Sequence, residues 1–136
     1  MVNGEKAGTA RIKLLLVDDE IGYVDVLSKR LSKRDIEVTV AHSGSEAIQK
    51  LRKQDFDLAV LDLKMEDMDG IEVLKIFKKI DPLMRVIMLT GHGSEEAAAE
   101  ALSLGAFDYL TKPCDLEELI DKIKEAQSSR GAKANV

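Results

Sequence analysis

Acidic, hydroxyl and ammonium side chains stand at the ends of apolar runs in this chain. Asp18, Asp19 and Glu20 follow Ile12-Lys13-Leu14-Leu15-Leu16-Val17. Asp62 follows Leu58 to Leu61, Thr90 follows Val86 to Leu89, and Lys112 comes two residues after Leu110. Carboxylates gathered in one pocket repel one another, which raises at least one pKa unless a cation is present. A hard divalent ion with oxygen preference relieves that repulsion. Mg2+ suits two or three carboxylates plus a main-chain carbonyl, because it takes octahedral oxygens and keeps several waters. Asp62-Leu63-Lys64-Met65-Glu66 lacks the ligand spacing of an EF-hand calcium loop. Beside such an ion, Asp62 could act as a nucleophile toward phosphorus. Phosphoryl transfer needs in-line positioning and neutralised charge on the equatorial oxygens. The ion would take one oxygen, Lys112 a second and the Thr90 hydroxyl a third. Gly91 leaves space and a free backbone N–H beside Thr90.

These groups can meet only if the chain brings the ends of several apolar runs together. The runs Ile12–Val17, Ile36–Ala41, Leu58–Leu61, Val86–Leu89 and Ala106–Leu110 are short, rich in Val, Ile and Leu, and mostly not alternating. That pattern suits strands covered on both faces. Helical spacing separates them: Val24, Leu27 and Leu31, then Leu116, Leu119, Ile120 and Ile123. Ser43 with Glu46, Asp69 with Glu72, and Asp115 with Glu118 mark helix starts. Gly105 stands where a helix C-cap wants positive φ. The segment Ser94–Ser103 is the weakest amphipath, with Leu102 as its one large apolar residue. Five strands alternating with five helices, joined by right-handed crossovers, predict an α/β fold of the flavodoxin-like (βα)5 type. It is a doubly wound parallel sheet with strand order 2-1-3-4-5, and its site lies beyond the strand carboxyl ends.

The chain has 136 residues, 45% hydrophobic and 33% charged, with net charge −5. That suits one globular domain of about 14 Å radius of gyration. The apolar fraction is too high for intrinsic disorder. No apolar run approaches a membrane span, and Met1-Val2-Asn3-Gly4-Glu5-Lys6 has no signal-peptide core. A single cysteine, Cys114, excludes an internal disulfide and a cysteine zinc cage. The acidic balance argues against direct nucleic-acid binding. A cytoplasmic protein without membrane contact is expected. Residues 1–10 and 128–136 lack periodicity and are expected as flexible tails or a linker stub, leaving residues 11–127 as the domain.

Taken together, these residues resemble the receiver domains of two-component response regulators. The resemblance rests on Leu15-Leu16-Val17-Asp18-Asp19-Glu20, on Leu58 through Met65 around Asp62, and on Met68-Asp69-Gly70. Met88-Leu89-Thr90-Gly91 and Gly105 through Pro113 complete it in the right order. It implies a phosphoacceptor signalling domain that takes a phosphoryl group on Asp62 from a sensor histidine kinase, a phosphotransfer protein or a small donor. It implies Asp19 as a direct Mg2+ ligand and Asp18 largely through water, with Asp62 and the Lys64 carbonyl completing the set. Lys112 would pair with the phosphate. Thr90 and Tyr109 would be the switch pair, and the Lys112–Pro113 bond would be cis. Glu66 stands where the family usually has Pro, and with Asp67 it adds negative charge beside the site. Lys64 and His92 occupy the variable positions that tune phosphoryl lifetime in the family. Gly91-His92-Gly93-Ser94, with Gly105 to Pro113, leans toward receivers of nitrogen-regulator-class transcription activators. The resemblance leaves open an output domain or downstream protein and a phosphorylation-dependent homodimer as partners.

Each residue alone has a plainer use. An Asp pair after a strand is commonly a helix cap, a strand-end Thr satisfies backbone groups, and Tyr109 could be core. His42 and His92 lack partners at metal-ligand spacing, Cys114 suits a loop thiol without a function, and Met65, Met68, Met84 and Met88 suit gap filling. Five such uses coinciding at one sheet edge is far less expected than one shared site. Phosphorylation adds roughly −1.5 to −2 charge, which would draw in Thr90 and let Tyr109 fill the vacated space. A shift from 1:99 to 99:1 then needs about 5.5 kcal/mol of differential stabilisation. The domain is therefore not expected to be a turnover enzyme beyond its own phosphorylation and dephosphorylation. A haloacid-dehalogenase-like aspartyl-phosphate hydrolase is an alternative, but it needs a second Asp where Lys64 stands. A receiver-like module that is never phosphorylated is another.

Overall fold

A computed structural model describes residues 11–134 of the chain; the tail expected at residues 1–10 lies outside the described residues. The chain runs β1 (Ile12–Val17), α1 (Ile21–Ser32), β2 (Ile36–Ala41), α2 (Gly44–Lys53), β3 (Leu58–Leu61) and α3 (Gly70–Ile80). It continues through β4 (Arg85–Thr90), α4 (Glu95–Ser103), β5 (Asp108–Thr111) and α5 (Leu116–Ala134). The five strands form one parallel sheet in the order β2-β1-β3-β4-β5, as expected from the right-handed crossover rule. β1 is central to the register, pairing Val17 with Ala41 on one side and with Leu61 on the other.

Successive strand residues face opposite sides of the sheet, and two apolar layers result. Leu15, Val17, Ala59, Leu61, Val86 and Met88 pack with Ala47 and Leu51 of α2 and with Val73, Leu74 and Phe77 of α3. Leu14, Leu16, Leu58, Val60, Ile87 and Leu89 pack with Val24, Leu27 and Leu31 of α1 and with Leu119, Ile120 and Ile123 of α5. Burial on both faces explains why the strands read as continuous apolar runs. Met65, Met84 and Met88 are buried and Met68 packs against the first layer, in line with their expected use as fillers.

Three helix starts follow the capping chemistry, while Glu20 at the start of α1 makes no side-chain cap bond. Ser43 accepts the Glu46 amide, Asp69 the Ile71 amide and Ser94 the Ala97 amide. α4 is weakly anchored, with Ala101 its sole buried residue. Two boundaries differ from the sequence expectation. β5 begins at Asp108, because the Ala106 amide bonds back to the Ala101 carbonyl and Gly105 takes φ 103°, so residues 105 and 106 close α4. α5 continues to Ala134, through most of the segment expected as a tail. Ala126 is buried in the second layer, and Ser129 accepts a hydrogen bond from Arg85 of β4 at 3.2 Å, which ties residues past 127 to the sheet. A helix so anchored propagates at little further cost.

Phe77 is fully buried against the sheet. Phe77→Ala is expected to cost about 3–5 kcal/mol through lost burial and the cavity left behind, read as a lower urea midpoint with an unchanged slope.

Candidate functional site

Three backbone amides seat the chemistry at the carboxyl edge of the sheet. The Asp18 amide bonds to the Ala41 carbonyl, the Asp62 amide to that of Val17, and the Lys112 amide to that of Thr90. Each hydrogen bond carries the sheet ladder past the last strand residue, so the side chains of Asp18, Asp62 and Lys112 converge across three elements. The Lys112 Nζ lies 2.7 Å from Asp18 Oδ2, 2.7 Å from Glu20 Oε1 and 4.0 Å from Asp62 Oδ2. It also sits 4.3 Å from the ring centroid of Tyr23, within cation–π range.

Asp18 and Asp62 are each 2% exposed. Asp18 has both oxygens engaged, since Oδ1 accepts the Glu20 amide at 2.9 Å. Burial raises its pKa, an effect that the Lys112 bond only partly offsets. Burial pulls the Lys112 pKa down, but hydrogen bonds to Asp18 and Glu20 outweigh it, and the net shift is upward. The ammonium therefore stays charged throughout the physiological range. Asp62 Oδ1 is buried without a hydrogen-bond partner. Carboxylate oxygens of Asp18, Glu20 and Asp62 lie within 4.8 Å of one another. An all-oxygen donor set with one buried, unpartnered oxygen fits a hard divalent cation.

Glu20 completes this cluster, although no role was assigned to it from the sequence. Its place directly after the Asp pair was the signal available. Asp19, the expected direct ligand, stands outside the cluster: its Oδ2 accepts the Glu66 amide at 3.1 Å, which turns it toward the loop after β3. That loop is pinched by the Lys64–Asp69 bridge and by the Gly70 amide, 2.6 Å from the Leu63 carbonyl. A Cβ on Gly70 would come within 2.3 Å of the Asp62 carbonyl oxygen, so only glycine allows α3 to start this close to the acidic residue. Lys64, Glu66 and His92 are exposed at the rim.

Asp67 does not add charge beside the site as expected. Its carboxylate takes the Gly44 and Ser45 amides, each at 3.0 Å, and the Ser45 hydroxyl at 2.9 Å. It caps α2 and anchors the β3–α3 loop there. Thr90 is fully buried and its Oγ1 accepts the His92 amide at 3.1 Å. The Tyr109 hydroxyl is buried beside Gly93, where a Cβ would stand 1.7 Å away. The Lys112–Pro113 bond is cis. Cys114 has its pKa pushed up to about 11 by burial and by Glu118, the opposite of an activated thiol.

A doubly wound parallel sheet with an acidic, lysine-bearing notch at the carboxyl ends of its strands is the architecture of flavodoxin-like α/β domains, with the site where such domains bind their ligands. The chain belongs to the response regulator receiver domain family, whose pattern matches residues 14–124. Transcriptional regulatory protein ZraR of Escherichia coli is 40% identical over 115 residues, 85% of this chain and 26% of that protein. Sporulation initiation phosphotransferase F of Bacillus subtilis is 37% identical over 113 residues, 83% of this chain and 91% of that protein. A CheY-like receiver domain crystal structure from Methanospirillum hungatei superposes with TM-score 0.88 at 33% identity, covering 91% of this chain and 99% of that one. The chain spans about a quarter of the length of the transcriptional regulators it matches. Transcriptional regulators among the relatives agree with the lean toward activator receivers. Receiver domains are signalling domains of two-component systems, not conventional enzymes; they bind Mg2+ at the acidic pocket and interact with kinases or phosphotransfer proteins. Among the described residues, no helix is long and apolar enough to cross a membrane.

The α2 cap gives a stability prediction. Hydrogen bonds from Ser45 hold the Asp67 carboxyl below the usual carboxylate range, so its contribution is present above the unfolded pKa and lost as pH falls through the folded one. Asp67→Ala is expected to cost about 1 kcal/mol at neutral pH. The gap from the unaltered chain should shrink on acidification below about pH 4, as checked by urea denaturation at both pH values.

Proposed function

We propose that Asp62 accepts a phosphoryl group from a phosphohistidine on a sensor histidine kinase or phosphotransfer protein, or from a small acyl phosphate. The observation that carries this reading is the buried, unpartnered Oδ1 of Asp62, beside an ammonium 4.0 Å from its other oxygen. An Asp62 oxygen forms the bond to phosphorus as the donor's bond to phosphorus breaks. The electron pair leaves with the donor's imidazole nitrogen or carboxylate oxygen, and a leaving imidazole regains its proton from solvent. Lys112 neutralises one phosphoryl oxygen, and the Thr90 hydroxyl, once it turns from the His92 amide, donates to another.

The residues proposed to hold Mg2+ are Asp18, Asp19, Asp62 and the main-chain carbonyl of Lys64, with Asp19 turning from the Glu66 amide to reach the ion. Bound there, the ion would supply charge neutralisation for the transferring group. Tyr109 and Thr90 form the proposed switch. Movement of Thr90 changes the space beside Tyr109 and hence the face made by α4, β5 and α5, where α4 is least anchored. Residues 11–127 form the proposed receiver unit, acting in the cytoplasm. An output domain or downstream protein, or a second phosphorylated copy, would read the changed face.

With Mg2+ and acetyl phosphate, the unaltered chain should become phosphorylated and Asp62→Asn should not, as read by phosphate-affinity electrophoresis and intact mass. Label that persists in Asp62→Asn would remove Asp62 as the acceptor. Lys64 and His92, both exposed, are proposed to tune loss of the phosphoryl group to water. Lys64→Ala and His92→Ala should each move the phosphoryl half-life, measured after donor removal; unchanged half-lives in both would exclude a tuning role.

A further inference from the structure

We infer that Glu20 is a positioning residue that holds Lys112 in reserve and releases it to the phosphoryl group. This rests on the reading of Asp62 as acceptor. The ammonium makes two carboxylate bonds of equal length, 2.7 Å, but their settings differ sharply. The Asp18 side chain is 3% exposed, whereas that of Glu20 is 60% exposed. Breaking the Asp18 bond would strand a buried carboxylate, which is strongly unfavourable. Breaking the Glu20 bond returns a carboxylate to water at small cost, because an exposed ion pair contributes little.

The two bonds therefore act as an anchor and an exchangeable hold. Asp18 and the Tyr23 ring keep the ammonium at the edge of the pocket. Glu20 keeps it from closing the last distance to Asp62, which at 4.0 Å is beyond hydrogen-bond range. A phosphoryl group on Asp62 brings more negative charge than one carboxylate, in a less exposed place, and so outbids Glu20 for the ammonium. Glu20 then swings into solvent from its position at the N-cap of α1. The exchange swaps one ion pair for another, with no change in covalent bonding.

The test compares rates of acetyl phosphate labelling at saturating Mg2+, using the full chain. Glu20→Gln should label about two- to fivefold faster, the range set by the loss of one exposed ion pair. In a Lys112→Met background the same substitution should leave the rate unchanged, because Glu20 acts through Lys112. In nitrogen-15 spectra, the Lys112 ammonium signal should shift in Glu20→Gln, and an unshifted signal would overturn the inference. An unchanged or slower rate in Glu20→Gln overturns the inference. So does equal acceleration with Lys112 absent, which would mean simple repulsion of the donor by Glu20. Failure of the unaltered chain to label at all would instead overturn the acceptor reading of Asp62.

Discussion

One ammonium group among converging carboxylates is the constraint on which the site depends. Asp18 and Asp62 are buried at adjacent strand ends, where like charges in a poorly solvated pocket are costly. The Nζ of Lys112 reaches Asp18 and Glu20 directly and lies near Asp62. At Asp18 burial outweighs that pairing and raises the pKa, whereas at Lys112 the hydrogen bonds outweigh burial and hold the ammonium charged. Burial penalises the charges of Asp18 and Lys112, and their pairing offsets part of that penalty. A pocket of this kind has an affinity for further positive charge and a readiness to rearrange when negative charge is added.

The sheet turns that electrostatic balance into a fixed geometry. Amides of Asp18, Asp62 and Lys112 continue the backbone ladder beyond β1, β3 and β5. Two apolar layers hold the strands from both faces, so the positions of those amides follow from the packing of residues far from the pocket. Gly70 lets α3 begin against the Asp62 carbonyl, and Asp67 ties the intervening loop to α2. The site is thus rigid on the side of β1, β3 and α3. On the other side α4 carries a single buried side chain, and the Tyr109 hydroxyl occupies a space kept open by Gly93. Local stability follows the density of apolar contacts, so that side is the less firmly held one.

Much of this was legible in the residue order. Buried parallel strands require apolar runs, caps require Ser or Asp at fixed offsets, and a lysine before proline after the fifth strand reaches the carboxyl edge. The positions that departed from expectation are those where a side chain chose between neighbours distant in sequence. Asp67 could face the pocket or α2, and two amides with a hydroxyl at the start of α2 decided it. Asp19 and Glu20 are adjacent and chemically alike, yet the Glu66 amide draws one away while Lys112 draws the other in. The contact between Arg85 and Ser129 prolonged α5 through a stretch with little periodicity of its own.

From its sequence alone, then, this chain determined its alternation of strands and helices, its strand order and the identities of the groups at the carboxyl edge. Periodicity and capping are local properties, and the handedness of crossovers leaves few topologies. Which carboxylate meets the ammonium, how much water each retains and which bond can be given up were decided only in three dimensions. Those outcomes depend on distances of a few ångströms between strand ends and on burial, and neither is written in the spacing of residues along the chain.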